Sequence, residues 1–249
     1  MSSSSPNRLV VRDAAPSDLG YTARQHEALL PHGLFPHLGQ AFLRRWHGTF
    51  LQSPYGIALV AEQVGESGPV TVGFLIGSTD QVRLVEDVVA RHRLPLTVAG
   101  AGALLLRPRL AVHFVRTRAK PYLRRLARVP RRSAAPVPVA GPRTDDGGPP
   151  VRVAVITAVT VDAAFRSSGA GRALVDRFVV RAALSGAEDA RLTTVAGPGG
   201  AGRFYEKLGW QYEEEHLTRD GMAVSTYRLT PTTRPATDAR ARSVSRGGG

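Results

Sequence analysis

Residues Val161 to Leu174 read Val-Asp-Ala-Ala-Phe-Arg-Ser-Ser-Gly-Ala-Gly-Arg-Ala-Leu, and their types and spacing suit the binding of a phosphate. Gly169 and Gly171 fall in a turn between an apolar run and an amphipathic one. A turn of that kind aims several backbone N–H groups at one point, and the dipole of the following helix adds positive potential there. Together they form an anion cradle. The two glycines take away Cβ atoms that would hold a pyrophosphate off the backbone.

The flanking segments come in the order a cradle needs. Val151-Arg-Val-Ala-Val-Ile-Thr-Ala-Val-Thr160 is β-branched and apolar, the composition of a buried strand. After Gly169, the residues Leu174, Val175, Phe178, Val179 and Ala182 fall on one helical stripe, with Arg172, Asp176, Arg177 and Arg181 mostly outside it. A glycine pair alone also fits an ordinary strand-to-helix turn. The strand before it and the helix after it favour the cradle.

These residues resemble the acyl-coenzyme A binding motif of the GNAT N-acetyltransferases, R/Q-x-x-G-x-G/A behind a strand ending in valine. The match is Arg166, Gly169 and Gly171, with Val161 five residues before the arginine. Family members often carry proline where this chain has Ala163. A second element, Ala201-Gly-Arg-Phe-Tyr-Glu-Lys-Leu-Gly-Trp210, is similar to the family's A-x-x-F/L-Y-x-x-x-G-F/W signature and begins 30 residues after Gly171. Two signatures in the right order are far more specific than either alone. The resemblance covers residues 151–230 well and 8–80 loosely, and it leaves out 81–150.

The resemblance implies an acyltransferase of the GNAT N-acetyltransferase type. Acetyl-CoA would be its co-substrate, no metal would take part, and the acetyl group would pass directly to a primary amine in a ternary complex. Such a transfer needs a gripped donor, a neutral amine, a stabilised oxyanion and a protonated leaving thiolate. Backbone N–H groups of Ser167, Ser168, Gly169, Ala170, Gly171 and Arg172, beside Arg166, are the candidates for the pyrophosphate grip. Val159, Thr160 and Val161 would pair with the pantetheine arm as a pseudo-strand. Tyr205 is the candidate general acid, because a phenol of pKa ~10 suits a thiolate of similar basicity. The competing reading of Tyr205 is a ring packed under the short helix; Phe204 and Trp210 read as core.

The chain departs from the family pattern at two places. Members often have asparagine seven residues before the tyrosine, where this chain has Pro198, with neither the amide nor a backbone N–H. Some place a glutamate base near Thr193, and neither Thr193 nor Thr194 acts as a base at neutral pH. Asp80 is therefore the candidate base and Glu62 the second, each weighed against a solvated strand-end carboxylate. His32 and His37 flank a loop that lines the acceptor site in the resembled fold, so each is a candidate base or acceptor ligand. An amino sugar, a small-molecule amine, an antibiotic and a protein N-terminus all fit as acceptor. The alternative is a non-catalytic acyl-CoA-binding regulator or scaffold.

The chain has 249 residues, no cysteine and a formal charge of +13. That length supports one good core. Without cysteine there is no disulfide, thiolate nucleophile or Cys-ligated metal. Met1 to Pro6 is a polar serine run without a signal peptide's apolar core, and Leu94 to Leu106 is shorter than the ~20 residues that span a bilayer. A cytoplasmic protein is expected. Residues 81–132 hold thirteen Arg or Lys against Glu86 and Asp87, a local net of +11, which leaves +2 for the rest. This basic segment is read as a solvated helical cover, as the site of an anionic partner, or as a surface that rests on an anionic membrane through Leu104, Leu105 and Leu106 with Arg107, Arg109, Arg116 and Arg118. Specific nucleic-acid binding is least favoured, since no stacking pattern or nucleic-acid module is present.

The expected fold class is α/β (α+β): a mixed, mostly antiparallel sheet flanked by helices, with an inserted helical segment. Residues 1–7 and 231–249 read as disordered ends around a single domain, 8–230. Within it, 81–130 is a basic helical insertion and 131–150 a flexible linker. Leu9 to Arg12 reads as a strand, with Asp18 capping a helix through about Leu30. His32 to His37 reads as a loop, and Leu38 to Leu51 as a helix with Leu38, Phe42, Trp46 and Phe50 on one face. A hairpin joins 56–62 to 70–77. Pro95, Pro108, Pro121 and Pro130 are expected to divide the insertion into short helices. A strand near 191–196, a short helix at 201–208 and a hairpin of 210–217 with 224–229 complete the domain.

Overall fold

The computed structural model describes residues 8–105, 151–218 and 220–233. Seven strands form one sheet in the order β1-β2-β3-β4-β5-β7-β6. They are β1 Arg8–Asp13, β2 Gly56–Gly65, β3 Gly68–Ser78, β4 Val153–Val161, β5 Asp189–Val195, β6 Gln211–Leu217 and β7 Ala223–Leu229. Only β4 and β5 pair in parallel; every other neighbouring pair is antiparallel. The expected mixed, mostly antiparallel sheet is the observed one.

The helices are α1 Leu19–Leu29, α2 Leu34–His37, α3 Gln40–Gln52, α4 Gln81–Leu105, α5 Ala170–Leu184 and α6 Gly202–Lys207. Helix α5 buries the stripe read from the sequence: Leu174, Val175, Phe178, Val179 and Ala182 join Leu59, Leu75, Ile156 and Leu192 in the main core. The β-branched runs of β2 to β4 fit this half-buried pleated surface. Phe50, Val60, Phe74, Ile76, Leu84 and Ala158 form a second cluster.

Three local expectations change. Pro95 does not divide the insertion: α4 runs unbroken from Gln81 to Leu105 with Pro95 inside it. A proline costs a helix one N–H bond and crowds the carbonyl four residues back. Here that carbonyl belongs to exposed Arg91, where water can take the lost partner's place. Pro108, Pro121, Pro130, the 131–150 linker and the end beyond residue 233 lie outside the described residues. The expected His32–His37 loop contains a helical turn, α2, entered through Gly33 at φ +87°. Asp18 does sit at the N-cap of α1, yet its carboxylate makes no cap bond to that helix. It accepts instead from the Ala15 N–H at 2.7 Å and from Arg12 at 2.7 and 3.1 Å. Burial works against the ionised carboxylate, and these donors outweigh it, holding its pKa below the usual value.

Candidate active site

The site begins where β4 and β5 part. Their parallel pairing covers only Val153–Ile156 against Asp189–Leu192, while β4 continues to Val161. β5 runs on to Val195 paired with β7. Past Ile156, therefore, the β5-facing edge of β4 has no strand against it among the described residues, and backbone groups there are open to an extended ligand. The cause of the divergence lies in β4. Its register with β3 shifts between Ile76 and Gly77, which leaves Thr157 as an extra, exposed residue between Ile156 and Ala158. A bulge of that kind bends its strand and raises the local twist. Residue type alone does not mark it, since threonine is β-branched and suits a strand as its neighbours do.

Val159, Thr160 and Val161 lie on this open stretch. Beyond it the chain turns sharply. The Asp162 N–H donates to the Val72 carbonyl at 2.8 Å, and Ala163–Phe165 form one 3-10 turn. Ser167 then takes φ +73° and Gly169 φ +88°, at the N-cap of α5. A Cβ on Gly169 would meet nothing within 4 Å, but the left-handed backbone favours glycine there. The first main-chain bond of α5 runs from the Ala173 N–H to the Gly169 carbonyl at 2.9 Å. Gly171 and Arg172 precede it, so their N–H groups have no carbonyl one turn back within the helix. The Ala170 N–H donates to Ser168 Oγ at 3.3 Å. Arg166, Ser167, Ser168 and Gly169 are all exposed. The result is a solvent-facing set of donors at the positive end of a 15-residue helix.

Gly171 has a different task from Gly169. A Cβ there would stand 3.4 Å from Phe204 Cζ and 3.6 Å from Val161 Cγ2. Those would be ordinary contacts, so Gly171 marks the point where the end of β4, the start of α5 and helix α6 meet, and the two sequence motifs come together there. Tyr205, next to Phe204, is 5% exposed and buried among Phe204, Trp210 and Tyr227, with ring centroids 5.1, 6.0 and 6.2 Å away. Burial raises its phenol pKa above the ordinary value, because the phenolate would be poorly solvated. The loop ahead of α6 is tied to β5 by the Ala201 N–H donating to Thr194 Oγ1 at 3.1 Å. Pro198 is exposed in that loop.

The remaining candidates lie elsewhere. Asp80 starts α4: its Oδ1 accepts the Arg83 N–H at 3.1 Å, and its Oδ2 is 3.6 Å from Arg83 Nε. This is the geometry of an N-cap. Glu62 accepts from Arg12 at 2.6 and 3.0 Å, in a cluster that Asp18 shares. His32 and His37 are both exposed at the two ends of the α1–α3 connection.

Two features here were absent from the sequence reading. The Tyr21 hydroxyl of α1 donates to Asp162 Oδ2 at 3.1 Å, which ties α1 to the residue that starts the cradle turn. Beneath α1, His47 Nδ1 lies 2.9 Å from Thr22 Oγ1 and His47 Nε2 lies 3.2 Å from His26 Nδ1. The Thr22 hydroxyl donates to the Leu19 carbonyl at 3.3 Å, so its oxygen accepts from His47 Nδ1–H, and His26 Nδ1–H donates to His47 Nε2. Both rings are buried and neutral: burial lowers His26 to about 4, and burial with the neighbouring His26 lowers His47 to about 3. Histidine spacing alone could not have revealed a pair formed between two helices.

Comparison with known proteins bears on the fold. Residues 143–231 match the family model described as acetyltransferase (GNAT) domain. No curated protein sequence matches the chain. Among solved structures, the fold is similar to that of Arabidopsis thaliana NAA60 in complex with acetyl-CoA, at TM-score 0.52 and 12% identity, covering 90% of this chain and 98% of that one. It is likewise similar to an N-acetyltransferase from Staphylococcus aureus Mu50, at TM-score 0.51 and 12% identity, covering 90% and 99%.

Proposed function

We propose, from the match of residues 143–231 to the GNAT acetyltransferase domain model, that the protein is a cytoplasmic N-acetyltransferase that moves the acetyl group of acetyl-CoA onto a primary amine by direct transfer in a ternary complex. The observation that carries this reading is the open edge of β4 running straight into the positive-φ turn of α5. An extended pantetheine fits the first and a pyrophosphate fits the second, in the order in which coenzyme A joins them.

In this reading Val159–Val161 line the arm as a pseudo-strand. The N–H groups of Gly169, Gly171 and Arg172 hold the pyrophosphate, and exposed Arg166 adds charge at the mouth. The amine nitrogen bonds to the acetyl carbon as the carbon–sulfur bond breaks. Tyr205 gives its hydroxyl proton to the departing thiolate, the amine's surplus proton passes to water, and water returns one proton to the phenolate. Burial keeps Tyr205 protonated at neutral pH and so ready to donate. Asp80 and Glu62 each hold an arginine or a helix end. Thr193 is exposed on β5 and carries no basic group. Water is therefore the proposed proton acceptor. The acceptor amine is a small molecule or a protein N-terminus that reaches the site past the loop bearing His32 and His37.

Calorimetry with acetyl-CoA, followed by thiol release over a panel of amines, tests the proposal. Gly169→Glu sets a carboxylate against the cradle and strains a left-handed position, so affinity should fall roughly a hundredfold or more. Unchanged affinity would remove the cradle assignment. Tyr205→Phe should lower kcat by about 10²–10⁴-fold with acetyl-CoA binding intact. A variant that turns over like the parent across pH would take the general-acid role from Tyr205. The same arrangement also fits a second reading, a coenzyme A-binding regulator, because among the described residues no candidate base is placed at the site free of another role. That reading predicts binding without amine-dependent release.

A further inference from the structure

We infer that Tyr227 is a positioning residue for Tyr205: its hydroxyl locks helix α6 to the sheet and so sets where the Tyr205 phenol stands. The inference rests on the general-acid reading of Tyr205. Helix α6 is six residues long, and a helix of that length does not hold its own shape in water. Its N-cap, Ala201, brings no side-chain oxygen to the free N–H groups. The place of α6 is therefore set by its contacts. It bridges the gap between β4 and β5, tied to Thr194 of β5 at Ala201 and resting with Phe204 near Val161 of β4. Those contacts fix its first turn. The turn that carries Tyr205 needs a hold of its own.

Tyr227 supplies it. The residue lies on β7, level with Leu192 of β5 on one side and Tyr212 of β6 on the other, so a ladder holds its backbone on both edges. Its ring is buried, with the centroids of Tyr205 and Tyr212 at 6.2 and 5.9 Å. Its hydroxyl leaves the sheet and donates to Glu206 Oε1 at 3.1 Å. Gly202 explains how the hydroxyl reaches α6. A Cβ on Gly202 would run into the hydroxyl oxygen and stand 3.3 Å from Cζ of the same ring. Alanine is the better helix former, so glycine here gives up helix propensity for close approach. Gly202 and Glu206 are four residues apart and share one face of α6, which sets the phenol between a missing side chain and a carboxylate. Both stand at open positions of the signature A-x-x-F/L-Y-x-x-x-G-F/W, so the resemblance does not specify this lock. Glu206 adjoins Tyr205 in the chain, and the bond it accepts holds the turn that presents the general acid.

Thiol release from acetyl-CoA, with a mixture of spermidine, glucosamine and a tripeptide with a free N-terminus as acceptors, tests this in a set of variants. Tyr227→Phe keeps the buried ring and loses only the hydroxyl. It should lower kcat roughly tenfold, as displacement of a reacting group does, with KM for acetyl-CoA held within about twofold. Glu206→Gln keeps an accepting oxygen and should turn over like the parent, whereas Glu206→Ala should match Tyr227→Phe. In a Tyr205→Phe background, Tyr227→Phe should slow the reaction no further, because a residue that acts through another has nothing left to act on. An added loss there, or parental kcat in Tyr227→Phe while Tyr205→Phe is slow, would overturn the inference and leave the general acid in place. Parental kcat in Tyr205→Phe would remove both. A second measurement needs no acceptor. In protein with tyrosine isotopically labelled at Cζ, the NMR signal of Tyr205 is the one lost in Tyr205→Phe. It should shift in Tyr227→Phe and in Glu206→Ala and hold in Glu206→Gln. A Tyr205 signal unmoved in Tyr227→Phe would overturn the inference by itself.

Discussion

Against one face of the sheet α5 lays an apolar strip, Leu174, Val175, Phe178, Val179 and Ala182. Against the other, α1 and α3 bury His26, His47 and Thr22 beside Phe74 and Trp46. The first face gains its fit from absent atoms. A Cβ on Gly77 would fall 2.5 Å from the Val155 carbonyl oxygen and 2.8 Å from Phe178, so glycine lets the phenylalanine sit directly on the strand. The second face gains its fit from a chain of hydrogen bonds, His26 to His47 to Thr22 to the Leu19 carbonyl. The difference teaches where pH can act. The helix that presents the cradle is held mainly by apolar contacts, with one exposed ion pair, Arg181 to Asp13 at 2.7 Å, tying its last turn to β1, while the helices on the side assigned to the acceptor are held by two imidazoles that must stay neutral.

The sharpest way to break this contrast is Phe178→Ala. The ring is fully buried at the centre of the α5 face, and its removal should cost about 3–5 kcal/mol in urea unfolding at any pH where the protein is folded. A loss below about 1 kcal/mol would mean that α5 is not packed as described, and the cradle would lose its support.

The second test sharpens the other half. An unfolded chain takes up protons on His26 and His47 near pH 6.5, but the folded rings resist until about 4 and 3. Their folded pKa values are lowered, so the stability they contribute is present above pH 6.5 and is lost as pH falls toward the folded values. Each ring contributes a slope of about 1.4 kcal/mol per pH unit while only the unfolded form is protonated. Unfolding free energy should therefore drop on the order of 2–4 kcal/mol between pH 7 and 5, above the range where carboxylates titrate. A double variant, His26→Phe with His47→Phe, should flatten that limb. If the parent's stability is level from pH 7 to 5, the buried neutral pair is wrong.

The contrast also marks what could be read from the chain. The cradle was legible because its parts are contiguous: strand, turn and helix follow one another from Val153 to Leu184, and Phe204 and Tyr205 return to it as a second local motif. The α5 stripe was legible because a helix one face of which is buried writes that face into its period. The Thr157 bulge was not, because a register shift depends on the partner strand, β3. The His26–His47 pair was not, because it joins two helices. The Pro95 expectation failed because a local penalty was read without the packing of α4 along α3 that carries the helix through it. Asp80 and Glu62 stand at or near strand ends in the sequence, but the arginines that engage them, Arg83 and Arg12, do so through side-chain geometry that strand position does not encode.

The smallest effect tests whether the two faces communicate. Tyr21 is the hydrogen-bonded link between α1 and the turn, through its hydroxyl on Asp162. Burial and the adjacent carboxylate raise its phenol pKa, so it remains a donor over the working range. Tyr21→Phe removes that donor and keeps the ring, and should lower stability by about 0.5–1.5 kcal/mol. Asp162 begins the turn and is itself anchored through its N–H on Val72, so the cradle should loosen rather than collapse. Acetyl-CoA affinity should then fall only a few-fold, a change calorimetry resolves. Lower stability with unchanged affinity would show α1 held by the bond but the cradle indifferent to it, and the α1 side would act on acceptor binding alone.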